Sequence, residues 1–275
     1  MSSLQGSGGD GVASAGTVVI TGATKGIGLA LARLFVRRSH SVVVIARDQQ
    51  RLDAVAEGLR ALARHGCIVV PLALDVTHDD ATVRIDETLA QHGLALDILI
   101  NNAGMGLGGP LVEQSPADLE RLIALNITAL TRLTHHAVKV MRPRGKGHVI
   151  NIASLGGYVP GPNQAAYYAS KSYVISLSEA VDWELSGSGV RVSVVVPGPV
   201  RTDFHADMKA ETAFYRRFLP AMEPEAIARS IYRGYSFGQG VIVPGFSARF
   251  LSVALRILPH PLTVPLTGWL LRQRP

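Results

Sequence analysis

The stretch TGATKGIG, residues 21–28, lies between an apolar run, TVVIT at 17–21, and the helical pattern LALARLFVRR. Its glycines permit a tight turn, a close approach of the backbone to a pyrophosphate and close packing of the following helix. The N-terminus of that helix would face the anion. The stretch therefore predicts a dinucleotide-binding loop, with an ordinary glycine-rich turn as the alternative. The predicted contacts are Gly22, Thr24, Lys25, Gly26, Ile27 and Gly28.

Outward from this loop, apolar β-branched runs alternate with amphipathic helical patterns. This alternation predicts an α/β, doubly wound sandwich with a seven-stranded parallel sheet. The predicted strands are 17–21, 41–46, 67–74, 96–101, 148–154, 190–196 and 241–244. The predicted helices are 26–38, 49–65, 78–92, 115–142, 163–186 and 224–236. Ligands bind beyond the carboxyl ends of the strands in such a sheet, so we expect the site there.

The length of 275 residues fits one large domain. We place it at 17–245, after a flexible Gly- and Ser-rich extension at 1–16 and before an apolar, basic tail at 246–275. The net charge of +6 is scattered along the chain, which argues against a nucleic-acid partner. Dinucleotide phosphates and acidic carrier proteins are partners that such a charge also favours.

Cysteine and histidine usage sets further bounds. A single cysteine, Cys67, excludes an intramolecular disulfide framework, and we expect a reducing, cytoplasmic environment. Adjacent His135 and His136 point apart on a helix, and His205 has no second ligand at a suitable spacing. We therefore expect no metal.

The end of the second predicted strand bears on the choice of dinucleotide. An acidic side chain there would bond the ribose 2′-hydroxyl and repel a 2′-phosphate. The strand ends Ala46-Arg47 instead, and Lys25 adds a second cation in the glycine loop. These residues predict NADP(H) in preference to NAD(H). The alternative is that both are solvated surface charges, with Asp48 tempering their field.

The stretch YYASK contains two tyrosines, Tyr167 and Tyr168, close to Lys171. On a helix the two tyrosines lie about 40° and 60° from the lysine, on opposite sides, so either could reach its ammonium group. A nearby ammonium favours a phenolate and makes a tyrosine usable as an acid/base. Helix geometry alone leaves both tyrosines open.

Seven motifs in order resemble those of the short-chain dehydrogenase/reductase family, over about residues 17–245. They are TGATKGIG, Asp75-Val76, NNAG at 101–104, Asn126, Ser154, Tyr167-x-x-x-Lys171 and PGPVRT at 197–202. The resemblance implies a Rossmann-type fold and selects Tyr167 as the acid/base, because the family's tyrosine stands four residues before the lysine. Tyr168 is then expected to pack or to form a pocket wall.

The resemblance also implies roles for the other catalytic residues. Ser154 would stabilise the substrate oxygen, Lys171 would lower the tyrosine pKa, and Asn126 would hold a proton-relay water. For Ser154 the alternative is a bond to local backbone, and for Asn126 it is a helix kink.

Further cofactor contacts rest on the same resemblance. Asp75 is expected at the adenine and Thr202 at the nicotinamide carboxamide, while a cap at Asp75 and an ordinary turn at Asn101–Gly104 are the alternatives. The full set of these contacts is Asp75, Val76, Asn102, Ala103, Gly104, Tyr167, Lys171, Pro197, Gly198, Val200 and Thr202, together with Arg47.

The end of the chain bears on the substrate. An apolar lid is expected after Thr202, and it predicts a lipophilic carbonyl or alcohol; its members are Phe204, Met208, Phe214, Tyr215 and Phe218. The tail carries FLSVALRIL, then prolines 259, 261 and 265 that interrupt the helical pattern, and finally Trp269 with two arginines. It is expected either to touch membranes peripherally or to pack on the pocket or on a partner subunit.

These features predict an NADP(H)-dependent oxidoreductase that interconverts a carbonyl and a secondary alcohol, as a homodimer or homotetramer. One alternative is a 3-oxoacyl-[acyl-carrier-protein] reductase, whose basic entry patch would be Arg142, Arg144 and Lys146, or Arg216 and Arg217. An alternative from another class is a non-catalytic NADP(H)-sensing binding module.

Overall fold

Seven parallel strands form one sheet in the computed structural model, which describes residues 15–64, 66–202 and 221–271. The strands are β1 Thr17–Thr21, β2 Ser41–Ala46, β3 Val69–Ala73, β4 Ile98–Asn101, β5 Gly147–Ile152, β6 Val190–Val195 and β7 Val241–Ile242. Their order, β3-β2-β1-β4-β5-β6-β7, reverses direction between β1 and β4. The predicted α/β, doubly wound sheet is confirmed.

Burial of both faces explains why the strands are continuous β-branched runs rather than alternating patterns. In β1, Val18 and Ile20 belong to one core cluster and Val19 belongs to another, and all three side chains are fully buried. The strand pairs with β2 on one side and with β4 on the other. It is therefore a central strand.

Helices cover both faces of the sheet. They are α1 Gly26–Arg37, α2 Gln49–Arg60, α3 Ala81–Gln91, α4 Pro116–Ile123, α5 Leu130–Met141, α6 Ala165–Glu184, α7 Pro224–Ser236, α8 Phe246–Ile257 and α9 His260–Leu270. Apolar residues of α1, α2 and α7 share one core cluster, and residues of α3 and α5 share the cluster on the opposite face. The crossovers thus give the three-layer sandwich.

The predicted single helix at 115–142 is interrupted. A π-helical turn, Ala124–Ala129, separates α4 from α5 and contains Asn126. A π turn inserts one extra residue per turn and is frequent at functional sites. The sequence pattern predicted one continuous helix because the helical periodicity of the apolar residues continues across the π-helical turn.

The tail forms two helices rather than one interrupted segment. Pro259 and Pro261 lie where α9 begins, positions at which a missing N–H costs little. Pro265, in contrast, lies inside α9, so the expectation that it interrupts the helical pattern was wrong. Ala248 of α8 belongs to a core cluster with residues of β6 and α6, which attaches the tail to the main body. The domain boundary at 245 stays a prediction.

Candidate active site

A large cleft lies beyond the carboxyl ends of the strands and has a volume of about 1580 Å³. Its walls include the glycine loop after β1, the segment after β5 and the first turns of α6. The cleft therefore spans the point where the strand order reverses, which is where doubly wound sheets bind their ligands.

The glycine loop has the backbone that its sequence requires. Gly22 and Gly26 adopt φ values of +65° and +57°, which side-chain-bearing residues rarely adopt. A Cβ at Gly28 would overlap the Gly22 carbonyl oxygen and would lie 2.5 Å from Asn102 Nδ2. The loop thus brings its backbone close to α1 only because these residues lack side chains.

The loop after β4 holds the glycine loop in place. Asn102 Nδ2 donates to the carbonyl oxygens of Thr21 and Gly22, at 3.0 and 2.9 Å. In return, Thr21 Oγ1 accepts from the backbone N–H groups of Asn102 and Ala103, each at 3.0 Å. The structure therefore brings the predicted contacts Gly22, Asn102 and Ala103 together in one hydrogen-bonded unit.

These features fit a dinucleotide pyrophosphate. The N-terminus of α1 follows directly after Lys25 and lies at the cleft wall. Backbone N–H groups at a helix N-terminus attract an anion, and the glycines leave space for close approach. The residues that would hold the group are therefore those of the loop and of the adjacent Asn102–Gly104 segment.

Beside the glycine loop, at the ends of the next two strands of the sheet, Arg47 follows β2 and Asp75 follows β3. The Arg47 guanidinium lies 4.0 Å from Asp75 Oδ2, and the arginine side chain is 80% exposed. Thr77 donates to Asp75 Oδ1 through its backbone N–H and its hydroxyl, at 3.0 and 2.7 Å, so the capping alternative for Asp75 is present. Burial opposes ionisation of Asp75, but these bonds and the Arg47 charge outweigh it and lower its pKa.

Asp48 also lines this part of the cleft and is held by contacts with its own helix. It caps α2, accepts from the Arg51 backbone N–H at 3.0 Å and pairs with the Arg51 guanidinium at 3.2 Å. A carboxylate paired in this way tempers the positive field around Arg47 less than an unpaired one would.

Tyr167 and Lys171 lie one turn apart on α6 and both reach the cleft wall. Their side chains are buried, with relative exposures of 8% and 6%. Lys171 Nζ donates to the carbonyl oxygen of Ile152 at 2.9 Å and lies 5.8 Å from the centre of the Tyr167 ring. The arrangement places a positive charge beside the phenol.

Burial lowers the pKa of Lys171 to about 8. Between that value and its ordinary value of 10.5, the unfolded chain binds more protons than the folded chain. The free energy of unfolding should therefore rise with pH across this window, by up to about 1.4 kcal/mol per pH unit. We expect denaturation of the wild type to show this rise relative to Lys171→Met. Parallel pH profiles for the two proteins would contradict the assignment.

Tyr168 lies beside Tyr167 and also lines the cleft, but its ring packs against a different segment. A Cβ at Gly156 would lie 2.9 Å from Tyr168 Cζ, and one at Gly161 would overlap the same ring. The two tyrosine rings meet edge to face, with centroids 6.0 Å apart. Tyr168 thus contacts the loop after Ser154, whereas the Lys171 ammonium lies beside Tyr167.

Ser154 follows β5 and begins a short 3₁₀ helix, Leu155–Tyr158. Its Oγ accepts from the Gly156 backbone N–H at 3.2 Å. This is the bond to local backbone that the sequence left open as the alternative to a catalytic role. A serine hydroxyl has one donor and two acceptor positions, so accepting this bond leaves its proton available for another oxygen. The local bond is therefore compatible with the predicted catalytic role.

Asn126 uses its side-chain amide to connect two walls of the cleft. Its Oδ1 accepts from the Met105 N–H at 2.9 Å, and its Nδ2 donates to the Met105 carbonyl at 2.8 Å and to Ser170 Oγ at 3.0 Å. Met105 follows the NNAG segment, and Ser170 adjoins Lys171 on α6. The amide therefore positions both segments, while its role in holding a water stays a prediction.

The segment at 197–202 closes the cofactor side of the cleft. The Pro197 carbonyl accepts from the Leu155 N–H at 3.0 Å, and Gly198 lies beside Leu155. Val200 forms a bridge with Met222. A Cβ at Gly26 would come within 3.0 Å of Thr202 Cγ2, so Thr202 lies against the glycine loop. The predicted lid residues, His205, Arg216 and Arg217 fall outside the described residues.

The tail supplies cleft residues that sequence reasoning left open. Four leucines from α8 and α9 line the cleft: Leu251, Leu255, Leu266 and Leu270. Arg256 Nη2 donates to Tyr158 Oη at 2.7 Å and to Glu179 Oε1 at 2.9 Å, and Thr267 Oγ1 donates to the Pro160 carbonyl at 2.9 Å. The alternative in which the tail packs on the pocket therefore occurs.

A buried polar network, also missed, supports the strands beneath the site. Asn101 Nδ2 donates to Asn151 Oδ1 at 2.9 Å and to Thr134 Oγ1 at 3.0 Å, and Asn151 Nδ2 donates to Ser178 Oγ at 3.0 Å. An asparagine inside the apolar run HVINIAS was the available signal, because a buried amide needs partners. Asn101 thus serves the core, while Asn102 faces the glycine loop.

No cluster of possible metal ligands occurs among the residues that the structure describes. Within the same ranges, no helix is long and apolar enough to cross a membrane.

The family comparison identifies the chain. A family model described as short chain dehydrogenase matches residues 16–213. The chain belongs to the short-chain dehydrogenase family. Its relatives are named dehydrogenases and reductases, and this protein is accordingly an oxidoreductase. The resemblance carried by the motifs is confirmed.

Three relatives show the range of the family around this short-chain dehydrogenase. Serine 3-dehydrogenase from Agrobacterium fabrum is 34% identical over 223 residues, covering 79% of this chain and 86% of the relative. A short-chain dehydrogenase from Sphingobium yanoikuyae in complex with NADPH has a TM-score of 0.76 and 36% identity, with coverages of 87% and 92%. The bulky-bulky ketone specific alcohol dehydrogenase from Comamonas testosteroni has a TM-score of 0.73 and 31% identity, with coverages of 87% and 90%. Complexes with NADP and with NAD both occur among the structural neighbours.

Proposed function

We propose that this short-chain dehydrogenase interconverts a carbonyl and a secondary alcohol, with NADP(H) as coenzyme and Tyr167 as the acid/base. The observation that carries the proposal is the buried Lys171 ammonium 5.8 Å from the Tyr167 ring, in the same cleft as the glycine loop. Tyr167, whose pKa the neighbouring ammonium would lower, therefore lies in the same cleft as the loop that fits a dinucleotide pyrophosphate.

In reduction, the Tyr167 hydroxyl donates its proton to the substrate carbonyl oxygen, and in oxidation the phenolate accepts the alcohol proton. Lys171 favours the phenolate through its positive charge. Ser154 donates to the same substrate oxygen and stabilises the charge that develops there. The nicotinamide, when bound, supplies or accepts the hydride. Asn126 holds the NNAG segment against α6 and so keeps the two walls in register.

The coenzyme preference is proposed from charge at the end of β2. Arg47 is exposed to the cleft, and Asp48 is paired with Arg51. A ribose 2′-phosphate would give the Arg47 guanidinium a doubly charged partner. The Asp75 carboxylate would repel the phosphate, but the Arg47 charge offsets part of this repulsion. The balance favours NADP(H).

We expect Arg47→Gln to raise the NADPH dissociation constant at least about tenfold, since a charge-assisted hydrogen bond contributes about 1.5–3 kcal/mol. The NADH dissociation constant should hardly change, because NADH has no 2′-phosphate, and it serves as the internal control. Fluorescence titration of both coenzymes measures the effect. Equal weakening of both, or tighter binding of NADH by the wild type, would refute the preference.

The substrate that we propose is a bulky, lipophilic ketone or its alcohol. Leucines of α8 and α9 form one wall of the cleft, and Tyr168 and Val159 lie on another. Apolar walls favour apolar ligands with a few placed polar groups. The names of the relatives differ in substrate, for example serine for one and bulky ketones for another, so the choice of substrate rests on the lining of the cleft.

The function is tested by measuring NADPH oxidation by the purified protein with bulky ketones, steroid-like ketones, oxoacyl thioesters and small charged carbonyls. The reverse reaction is tested with serine and with bulky secondary alcohols. We expect turnover with the bulky ketones. Tight NADPH binding with no turnover of any compound would favour the sensing module, and preference for small charged compounds would refute the lipophilic pocket.

The acyl-carrier alternative receives no support from its first basic patch. Arg144 donates to the Leu96 carbonyl and pairs with Asp97, and Lys146 lies 3.8 Å from the same carboxylate. These residues precede β4 and β5, at the amino ends of the parallel strands. The cleft opens at the other end, so this patch cannot form its entrance.

We also infer a homodimer or homotetramer. The helix α6 leaves Trp183 82% exposed, and Tyr173 Oη on the same helix contacts Thr131 Oγ1 of α5 at 2.9 Å. The two helices therefore pack side by side, and α6 presents the large apolar ring of Trp183 outward, as a subunit interface would.

A further inference from the structure

The helices α8 and α9 each carry a stripe of exposed apolar residues in addition to the leucines that line the cleft. On α8 the exposed residues follow the spacing i, i+4, i+7 and i+11, and on α9 the spacing i, i+4 and i+7. The face consists of Phe246, Phe250, Val253, Ile257, Leu262, Leu266 and Trp269. At about 100° per residue, each set falls within about 60° of one side of its helix. We call this set of residues the tail face.

The tail face is strongly exposed. Phe246 is 89% and Ile257 is 76% exposed, although both are large and apolar. Scattered exposed apolar residues need no explanation, but a stripe of them along each of two successive helices marks a surface that contacts something apolar. The apolar character also continues into the cleft, because Leu266 is half exposed and lines the cleft as well.

The charged side chains of the tail segment are all positive. Residues 246–275 contain four arginines and no aspartate or glutamate. On α8, Arg249 and Arg256 fall on the same flank of the apolar stripe, about 60° to 80° from Phe246. Arg256 pairs with Glu179 of α6, while Arg249 is exposed. An apolar stripe with cationic flanks is the pattern of helices that lie in the interface of an anionic membrane.

A second copy of the chain fits this face less well. In a two-fold symmetric dimer the same patch meets itself, so arginines would face arginines across the contact. The segment has no carboxylate to compensate them. Anionic lipid headgroups would compensate them, and the acyl region would accept the phenylalanine, isoleucine and leucine side chains.

We propose that the tail face binds the surface of anionic lipid bilayers, with α8 and α9 lying in the interface. Arg249 then reaches the headgroups along one flank while the apolar residues enter the acyl boundary. The contact is peripheral, in keeping with the lengths of these helices, about 18 Å each. The inference does not depend on the chemistry proposed for the cleft, because membrane binding is measured without coenzyme or substrate.

Co-sedimentation with large unilamellar vesicles tests the proposal on the full chain. We expect binding to phosphatidylcholine vesicles that contain phosphatidylglycerol, and weak binding to phosphatidylcholine alone. The double variant Phe246→Asp with Ile257→Asp should lower the partition coefficient at least about tenfold, because two large side chains leave the acyl boundary. Arg249→Gln should lower it about fivefold on anionic vesicles, since each basic residue contributes about 1 kcal/mol near such a surface.

Phe237→Asp is the matched control. Phe237 is 76% exposed, but it precedes β7 and therefore lies at the amino end of the sheet, opposite the tail face. It should bind vesicles like the wild type. Circular dichroism of all variants establishes that they fold.

Three results would overturn the proposal. One is no sedimentation of the folded wild type with anionic vesicles. Another is equal loss in the Phe237→Asp control. The third is a wild type that does not bind vesicles, together with a double variant whose mass by light scattering is half that of the wild type. This result would make the tail face a subunit interface.

Discussion

Replacing Tyr167 by phenylalanine should lower kcat for carbonyl reduction by about a thousandfold, within the range of about 10²–10⁴ that general acid catalysis contributes. The substitution removes only the hydroxyl, so the buried ring and its edge-to-face contact with Tyr168 remain. The Lys171 ammonium would still donate to the Ile152 carbonyl. Steady-state rates with the best substrate from the panel measure the effect, and unchanged NADPH binding shows that the site is intact.

Tyr168→Phe is the matched control on the neighbouring residue. Its ring packs against the backbone at Gly156 and Gly161, and the phenylalanine ring keeps that packing. We expect its kcat to fall by less than about tenfold, because no proton transfer is assigned to it. A loss in Tyr168→Phe equal to that in Tyr167→Phe would exchange the roles of the two residues. Unchanged rates in both would remove the acid/base assignment from this pair.

Introducing a methyl group at Gly28 should weaken coenzyme binding strongly. The added Cβ would overlap the Gly22 carbonyl oxygen and would lie 2.5 Å from Asn102 Nδ2, so the glycine loop must move away from α1. Overpacking of this kind costs about 1–3 kcal/mol of folding free energy. A displaced loop also loses its close approach to the pyrophosphate. We therefore expect the NADPH dissociation constant of Gly28→Ala to rise by more than about tenfold.

Gly58→Ala supplies the control for the same chemical change. Gly58 lies inside α2, and a Cβ there would meet nothing within 4 Å. Alanine in place of glycine stabilises an exposed helix interior by about 0.5–1 kcal/mol. We expect an increased free energy of unfolding and an unchanged NADPH dissociation constant. Wild-type affinity in a folded Gly28→Ala protein would contradict the assignment of the loop as the pyrophosphate site.

Local sequence patterns were sufficient to predict the fold and the order of the motifs along the chain. The β-branched runs predicted all seven strands of the sheet within a few residues, because burial on both faces demands continuous apolar sequence. The glycines at 22 and 26 could be interpreted from sequence because their backbone angles are local properties.

Other features depended on partners distant in the chain. The π turn around Asn126 is associated with the bonds that its amide makes to Met105 and to Ser170, 44 residues away. Likewise, the local bond at Ser154 could not be separated from a catalytic role by sequence, since both use the same hydroxyl.

By itself, the sequence determined a doubly wound sheet, a glycine-rich loop after its first strand and a tyrosine–lysine pair on one helix, because these follow from periodicity and from spacing along the chain. The tertiary structure alone decided which surfaces meet across the cleft. It attached α8 to the segment after β5 through the bond from Arg256 to Tyr158, and it attached α9 to the same segment through the bond from Thr267 to the Pro160 carbonyl. These contacts join residues far apart in sequence, such as Arg256 and Tyr158, and no local pattern encodes them.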